Sequence, residues 1–427
     1  MQALLPLIFF IFIYLGVSIA AGDFYKIPIT VAFLLTAIVS IIVSKGTVKD
    51  RISIFSKGAG NSNMMLMIWI FILAGAFANS AKQMGSINDV VNLTLGFMPA
   101  WALLAGLFLS AAIISLSIGT SVGTIVALTP IATGIASTVN VSVPLMVAIV
   151  VGGAFFGDNL SFISDTTVVA TQSQGCRMSD KFRTNIRIAL PAALLMVLIY
   201  GIMGIDIRIP QELPAVNYLN VIPYVVVLAT AIAGMDVMIV LTIGCLLNGV
   251  IGYLIPAATQ GIAIDQCFYN WFGAMSEGVL GMSELIIVSL LAGGILECIR
   301  VNGGIKYIMD HILGHVHSQR SAEMSIAALV SFVDVCTANN TIAIITVSGI
   351  AKDIAQRYDL DPKRVASILD TFSCIMQGII PYGAQLLMAS ALASITPTEI
   401  IPYLLYPYAL AICAISTILI RKNKQHE

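Results

Sequence analysis

Four short runs in this chain collect oxygen-bearing and amide side chains, and each is embedded in otherwise apolar sequence. In the first half they are Gly119-Thr120-Ser121-Val122-Gly123-Thr124 and Gly157-Asp158-Asn159-Leu160-Ser161-Phe162-Ile163-Ser164-Asp165-Thr166-Thr167. In the second half they are Thr337-Ala338-Asn339-Asn340-Thr341 and Gln377-Gly378-Ile379-Ile380-Pro381-Tyr382-Gly383-Ala384-Gln385. Small hard cations prefer carboxylate, hydroxyl, amide and carbonyl oxygens, and these runs hold all four kinds. Four carboxylates, Asp158, Asp165, Asp334 and Asp370, lie within or beside apolar stretches. Placing one at the centre of a bilayer costs about 2.5–3.5 kcal/mol on insertion scales, so those retained there are functional candidates. Low dielectric favours a neutral carboxyl and a nearby cation favours an ionised one, so a single Asp can hold either a proton or a sodium ion. Competition of that kind is the simplest antiport chemistry. The alternative reading makes these Asp residues helix caps or structural hydrogen-bond partners of Ser and Thr.

The elements that must carry these groups are membrane helices. Of 427 residues 58% are apolar and 10% charged, and mean hydropathy is +0.96, beyond what a water-soluble domain of this length reaches. Apolar stretches recur at 3–21, 27–44, 64–79, 98–138, 144–173, 186–205, 219–255, 283–299, 325–351 and 401–420. At about 20 residues per crossing they predict about a dozen spans. Met1 to Ala21 has no basic leading region and is followed by another apolar stretch, so it is expected to stay as the first helix. In a membrane, Gly- and Thr-rich interruptions survive where protein or water satisfies the freed backbone groups. The four runs therefore predict broken or re-entrant helices, whose ends offer carbonyls to cations and amides to anions.

The chain also repeats itself. Leu73 to Gly96 aligns without a gap on Leu291 to Gly314, 218 residues later, pairing Gly75 with Gly293, Gly85 with Gly303 and Gly96 with Gly314. With one slip the match continues, setting Gly119 against Cys336 and Thr120, Thr124 and Thr129 against Thr337, Thr341 and Thr346. Residues 1–210 and 211–427 are thus expected to be two transmembrane repeats. Basic residues suggest that they are inverted. Lys45, Lys49, Arg51 and Lys57 mark a cytoplasmic loop whose counterpart, 256–282, has no Lys or Arg; Arg300, Lys306 and Arg320 face a partner loop holding only Lys82; and Arg177, Lys181, Arg183 and Arg187 follow one copy while 395–400 in the other has none.

The stretch GGAFFGDNLSFISDTTVVATQSQG, Gly152 to Gly175, resembles the signature of the bacterial NhaC-type sodium/proton antiporter family. That resemblance implies an all-α polytopic fold with inverted repeats and sodium/proton exchange, with organic acids or amino acids handled by some relatives. It carries over Asp158, Asn159, Ser161, Ser164, Asp165 and Thr166 as ion or substrate ligands, with Asp158 and Asp165 on sodium. The family pattern has proline where this chain has Phe162, which either lines a larger organic-substrate pocket or seals the core. Thr120, Ser121, Thr124, Asn339, Asn340, Thr341, Asp334, Asp370 and Gln385 complete the candidate set.

Other features point away from catalysis and from nucleic acid. There is no Walker loop, metal-hydrolase spacing or nucleophile elbow, and no basic face. Neither a cofactor nor an enzymatic activity is expected. The seven Cys form no CxxC or Cys/His spacing and read as small hydrophobes. His311, His315 and His317 read as loop histidines or a regulatory sensor. Glu297 and Arg300, at i and i+3, are expected to pair, and Lys352 to Arg364 reads as a solvated connector. The reading is a secondary transporter of the inner membrane with both termini cytoplasmic, exchanging sodium for protons. Its rival is sodium- or proton-coupled transport of an amino acid or small organic acid; the partners are the lipid bilayer and these solutes, with a homodimer left open.

Overall fold

The computed structural model of the chain describes residues 2–16, 28–162, 164–260, 263–307 and 317–420. Ile163, His311, His315, Gly314 and residues 17–21 of the first apolar stretch lie outside them. Every regular element among the described residues is helical, as expected where lipid offers the backbone no hydrogen bonds. Among the described residues eight helices are long and apolar enough to cross a membrane, nine if Pro397–Tyr403 and Leu405–Leu419, bent by 54°, make one span. The expected dozen is reached only by adding three shorter apolar helices, Gln2–Tyr14, Ile29–Val43 and Tyr218–Ile232.

Ten helices position the site. In the first half these are α1 (Leu103–Ile118), α2 (Ser121–Val139), α3 (Val143–Leu160), α4 (Asp165–Gln174) and α5 (Met178–Met203). In the second they are α6 (Gln319–Thr337), α7 (Asn340–Arg357), α8 (Pro362–Ile379), α9 (Ala384–Ala393) and α10 (Leu405–Leu419). Each polar run in the sequence is a gap between two of them. The chain leaves α1 through Gly119, whose φ of 78° is left-handed, a conformation that glycine adopts without Cβ strain. Between α6 and α7 the same turn is made by Ala338 at φ 48°. The gap between α8 and α9 contains Pro381, which cannot donate to a continuing helix.

Left-handed backbone positions recur at a nearly constant spacing along the chain. Gly85 and Gly303, 218 residues apart, are both left-handed, and so are Gly119 and Ala338, Asn140 and Asp359, and Gly175 and Ser394, each 219 apart. This spacing sets Gly119 against Ala338, two residues beyond the Cys336 of the sequence pairing. Shared threonines drew the sequence alignment, whereas the turn dictates the structural one. Thr120 then matches Asn339, Ser121 matches Asn340, Asp158 matches Gln377 and Thr166 matches Gln385. Contacts between halves are reciprocal, with α2 against α9 and α7 against α4.

The segments read as loops at 45–57 and 256–282 are largely helical: Val48–Ala59 begins with a capping box of Thr47 and Asp50, and Ile264–Gly281 is an amphipathic helix. Each packs on a long helix of the other half, Val48–Ala59 on Ser283–Val301 and Ile264–Gly281 on Ser62–Gln83. Both crossings are backbone on backbone. A Cβ at Gly58 would run into the Gly293 carbonyl, and one at Gly75 into that of Gly278, the small-residue contact by which membrane helices approach closely. The connector read at 352–364 is also mostly helix, the end of α7 and the start of α8, and its Arg364 pairs at 2.6 Å with the buried Glu323. The Glu297–Arg300 pair forms, at 2.6 Å.

Candidate functional site

A helix that stops inside a bundle leaves its first N–H and last C=O groups without intrahelical partners, so the gaps collect polar side chains and space. The N-termini of α2, α4, α7 and α9 meet at one cleft of about 160 Å³, room for about five waters. Thr120, Ser121, Asp158, Ser164, Asp165, Thr166, Asn339, Asn340, Thr341 and Gln385 line it, together with Gln377 and an apolar wall of Leu66, Met67 and Ile70. All four polar runs therefore contribute to a single cavity.

A continuous chain of hydrogen bonds connects them. Gln377 Nε2 donates to the Ala338 carbonyl at 3.1 Å and to Gln385 Oε1 at 2.8 Å. Gln385 Nε2 donates to Ser121 Oγ at 3.0 Å, and Ser121 donates to Asp158 Oδ2 at 2.8 Å. On the other side Ser164 Oγ donates to Asp158 Oδ1 at 2.5 Å and lies 2.8 Å from Thr166 Oγ1. Asp158 is 4% exposed and terminates this chain as its acceptor. Asp165 opens α4 and is exposed within the cleft; a carboxylate in a first turn suits the positive end of the helix. Three of the four converging helices, α2, α4 and α9, have no side-chain cap at their N-termini, so their first backbone N–H groups have neither an intrahelical partner nor a capping side chain.

Five candidates lie elsewhere. Thr124 bonds back within its own helix to the Thr120 carbonyl at 3.2 Å, and Ser161 bonds across to the Leu116 carbonyl near the end of α1 at 3.2 Å. Asp334 is fully buried in α6, with no hydrogen-bond partner for either carboxyl oxygen. Asn159 faces away from the cleft and donates to Asp370 Oδ2 at 3.1 Å. Asp370 in α8 forms an ion pair with Lys181 Nζ at 2.7 Å, both side chains having no exposed surface.

Lys181 is the residue that sequence reading misplaced, having counted it among the basic residues of a cytoplasmic loop. It lies in the first turn of α5 and reaches inward to the Asn159 carbonyl and Thr167 Oγ1, both at 2.6 Å. The cause is the break after α3, which orphans its last carbonyls; a lysine is the usual partner for a helix C-terminus. Thr167 and Asn185 join it, Asn185 Nδ2 donating to Asp370 Oδ2 at 2.9 Å. The sequence carries no signal for this pairing, since Asp180, Arg183 and Arg187 lie on the same helix as Lys181 and Asp370 is 189 residues away. Phe162 neither lines the cleft nor seals the core. It is 44% exposed and stacks on Phe182 with ring centres 4.7 Å apart.

An all-helical bundle whose broken helices face one polar cleft belongs to the class of multi-pass membrane transporters. The description Na+/H+ antiporter family matches residues 4–205 and 210–421, and the chain belongs to that family. It is 24% identical to the Na+/H+ antiporter NhaC of Bacillus subtilis, over 84% of each chain. It is 23% identical to the malate-2H+/Na+-lactate antiporter of the same organism, over 94% of this chain and 92% of that one. The arginine/ornithine antiporter ArcD of Halobacterium salinarum is 22% identical over 78% and 75% of the two chains.

Proposed function

We propose that this protein exchanges sodium for protons by competition at Asp158, in the cleft between two inverted repeats of the cytoplasmic membrane. The observation that carries the reading is the placement of Asp158: a buried carboxylate, held by two serine hydroxyls, at the wall of a cleft to which both halves contribute. An ionised carboxylate with oriented donors and adjacent hydroxyl and amide oxygens can bind a dehydrated sodium ion; a protonated one cannot. Asp165, at the mouth of the same cleft, offers a second carboxylate for capture of the ion. Alternating access then requires each side of the cleft to open in turn while the reciprocal contacts between halves re-form. Membership of the family and the recurrence of left-handed turns support two related halves around one site.

The test is sodium-driven proton flux in proteoliposomes. Asp158→Asn is expected to abolish it and Asp165→Asn to weaken it; unchanged flux in both ends this mechanism.

A second reading is favoured by the converging helix ends. Three uncapped N-termini present positive partial charge to a cleft larger than one ion, the arrangement that binds a carboxylate. On that reading a small organic acid or amino acid travels with or against the cation, its carboxylate on the backbone amides and its other polar groups on Asn339, Asn340 and Thr341. Equilibrium binding of a panel of dicarboxylates, hydroxy acids and amino acids separates the two. Saturation by one class supports coupled organic transport, and none with intact sodium/proton flux leaves cation exchange alone.

A further inference from the structure

A lysine ammonium in the interior of a membrane protein is a resident monovalent cation, so its neighbours can be read as the ligands of a cation site. Lys181 Nζ lies 2.6 Å from the Asn159 carbonyl oxygen, 2.6 Å from Thr167 Oγ1 and 2.7 Å from Asp370 Oδ2. Carbonyl, hydroxyl and carboxylate are the oxygen types that hard cations take, and here they come from α3, α4 and α8. The carboxylate is fixed independently of the lysine, since Asn185 Nδ2 and Asn159 Nδ2 donate to the same Asp370 oxygen at 2.9 and 3.1 Å. Two further buried oxygens, Asp370 Oδ1 and Asn185 Oδ1, have no hydrogen-bond partner and so retain lone pairs for a ligand. Lys181, Asn185 and Asp370 have no exposed surface, and none of them borders the Asp158 cleft.

We propose that the oxygens of Asn159, Thr167 and Asp370 form a second monovalent-cation site, and that the Lys181 ammonium fills it in place of a mobile sodium ion. Without the lysine, the Asp370 carboxylate would be a buried, uncompensated charge, and such a charge must be matched or neutralised. A sodium ion of the same charge, entering the volume vacated by the side chain, meets three oxygens already gathered around it. The site adjoins the cleft through the chain itself, because Asn159 follows Asp158. It does not depend on Asp158 binding sodium.

The test uses the full chain in lipid nanodiscs, with radioactive sodium counted at equilibrium dialysis. Lys181→Ala is expected to bind one more sodium per chain than the unaltered protein, and Lys181→Ala/Asp370→Asn to return to the unaltered count. A failure of the Asp158 reading would lower all three counts together and leave their differences in place, so the two ideas fail separately. Recovery of folded Lys181→Ala from membranes is measured in sodium and in choline. Sodium at ten times the dissociation constant of this site should raise the folded-to-unfolded ratio of Lys181→Ala roughly tenfold more than that of the double variant. Equal sodium counts for Lys181→Ala and the unaltered protein overturn the proposal; so does an equal response of Lys181→Ala and the double variant to sodium over choline if the variants are too unstable for dialysis.

Discussion

Removing the serine donors to Asp158 tests whether the hydrogen-bond chain positions the ion-exchange group. Ser164 Oγ is 2.5 Å from Asp158 Oδ1 and Ser121 Oγ 2.8 Å from Oδ2, so each carboxyl oxygen holds one donor. A hydrogen bond to a charged group contributes about 1.5–3 kcal/mol. The proton competes for the same carboxyl without needing those donors. At about 1.4 kcal/mol per factor of ten, Ser164→Ala should raise the half-saturating sodium concentration roughly 10- to 150-fold at fixed pH. Ser121→Ala should act in the same direction and more strongly, because it also strands Gln385 Nε2, which donates to Ser121 at 3.0 Å. Both serines act on one carboxylate, so the double variant should shift by less than the sum of the two. The assay is proton flux into proteoliposomes against external sodium, read with a trapped pH dye. Ser117→Ala is the control: its hydroxyl bonds to the Ile113 carbonyl at 2.8 Å, away from the cleft. Half-saturation within about twofold of the unaltered protein in both serine variants, with Asp158→Asn inactive, would refute the argument; twofold is under about 0.5 kcal/mol.

Three further outcomes follow from particular contacts. Gly278→Ala should destabilise by about 1–3 kcal/mol, since the added Cβ meets the Gly75 carbonyl and lies 2.8 Å from Asn79 Cβ; Gly273→Ala on the same helix meets nothing within 4 Å and should be neutral or slightly stabilising. Equal changes in the Tm of the detergent-solubilised protein would remove the close helix crossing from the account. Ala338→Gly should raise Tm, because relief of an L-residue at φ 48° is about 1–2 kcal/mol and exceeds the entropy glycine adds to the unfolded chain, about 0.4–1 kcal/mol; a fall in Tm would show that the turn is not strained. Phe162→Ala should cost about 0.5–1.5 kcal/mol of stability through loss of its stack on Phe182 while leaving sodium half-saturation in place, and a tenfold shift would put the ring in the transport path.

The polar runs were legible in the sequence because a bilayer leaves few other uses for them. Ser121, Asp158, Asn340 and Gln385 stand out against apolar neighbours, and 10 of the proposed ligands line one cleft. Distance across the bundle was not legible. Asp370 and Asp158 look alike in sequence, but Asp370 turns to Lys181 and Asp158 to two serines. Lys181 was misread because charge near a helix end ordinarily marks an aqueous loop, and only the break after Leu160 makes an inward carbonyl available to it. The sequence pairing of the halves rests partly on Gly75 and Gly293, whose small size the close helix crossings require. Its register past the slip was not legible, because left-handed turns tolerate both Gly119 and Ala338 and so leave no common residue type.

The same register exposes an asymmetry that matters for exchange. Asp158 of the first half stands where the second half has Gln377, and Thr166 where it has Gln385. Two carboxylates facing one another across a cleft would repel, and one would be forced neutral; an amide in one of the two places avoids this and both donates and accepts. Donation consequently runs in one direction, from Gln377 through Gln385 and Ser121, and ends on Asp158. On the proposed mechanism a proton arriving at Asp158 makes that group a donor. Ser121 or Ser164 must then accept, and because Gln385 Nε2 can only donate, a reversed Ser121 hydroxyl has to find another acceptor within the cleft. Protonation in one half thereby turns the Ser121 hydroxyl to which Gln385 of the other half donates, whereas a sodium ion bound to the ionised carboxylate leaves the direction of the chain intact. The two occupants of one site thus set different orientations of a hydroxyl at the seam between the halves, a difference of the kind that an alternating-access equilibrium requires of its ligands.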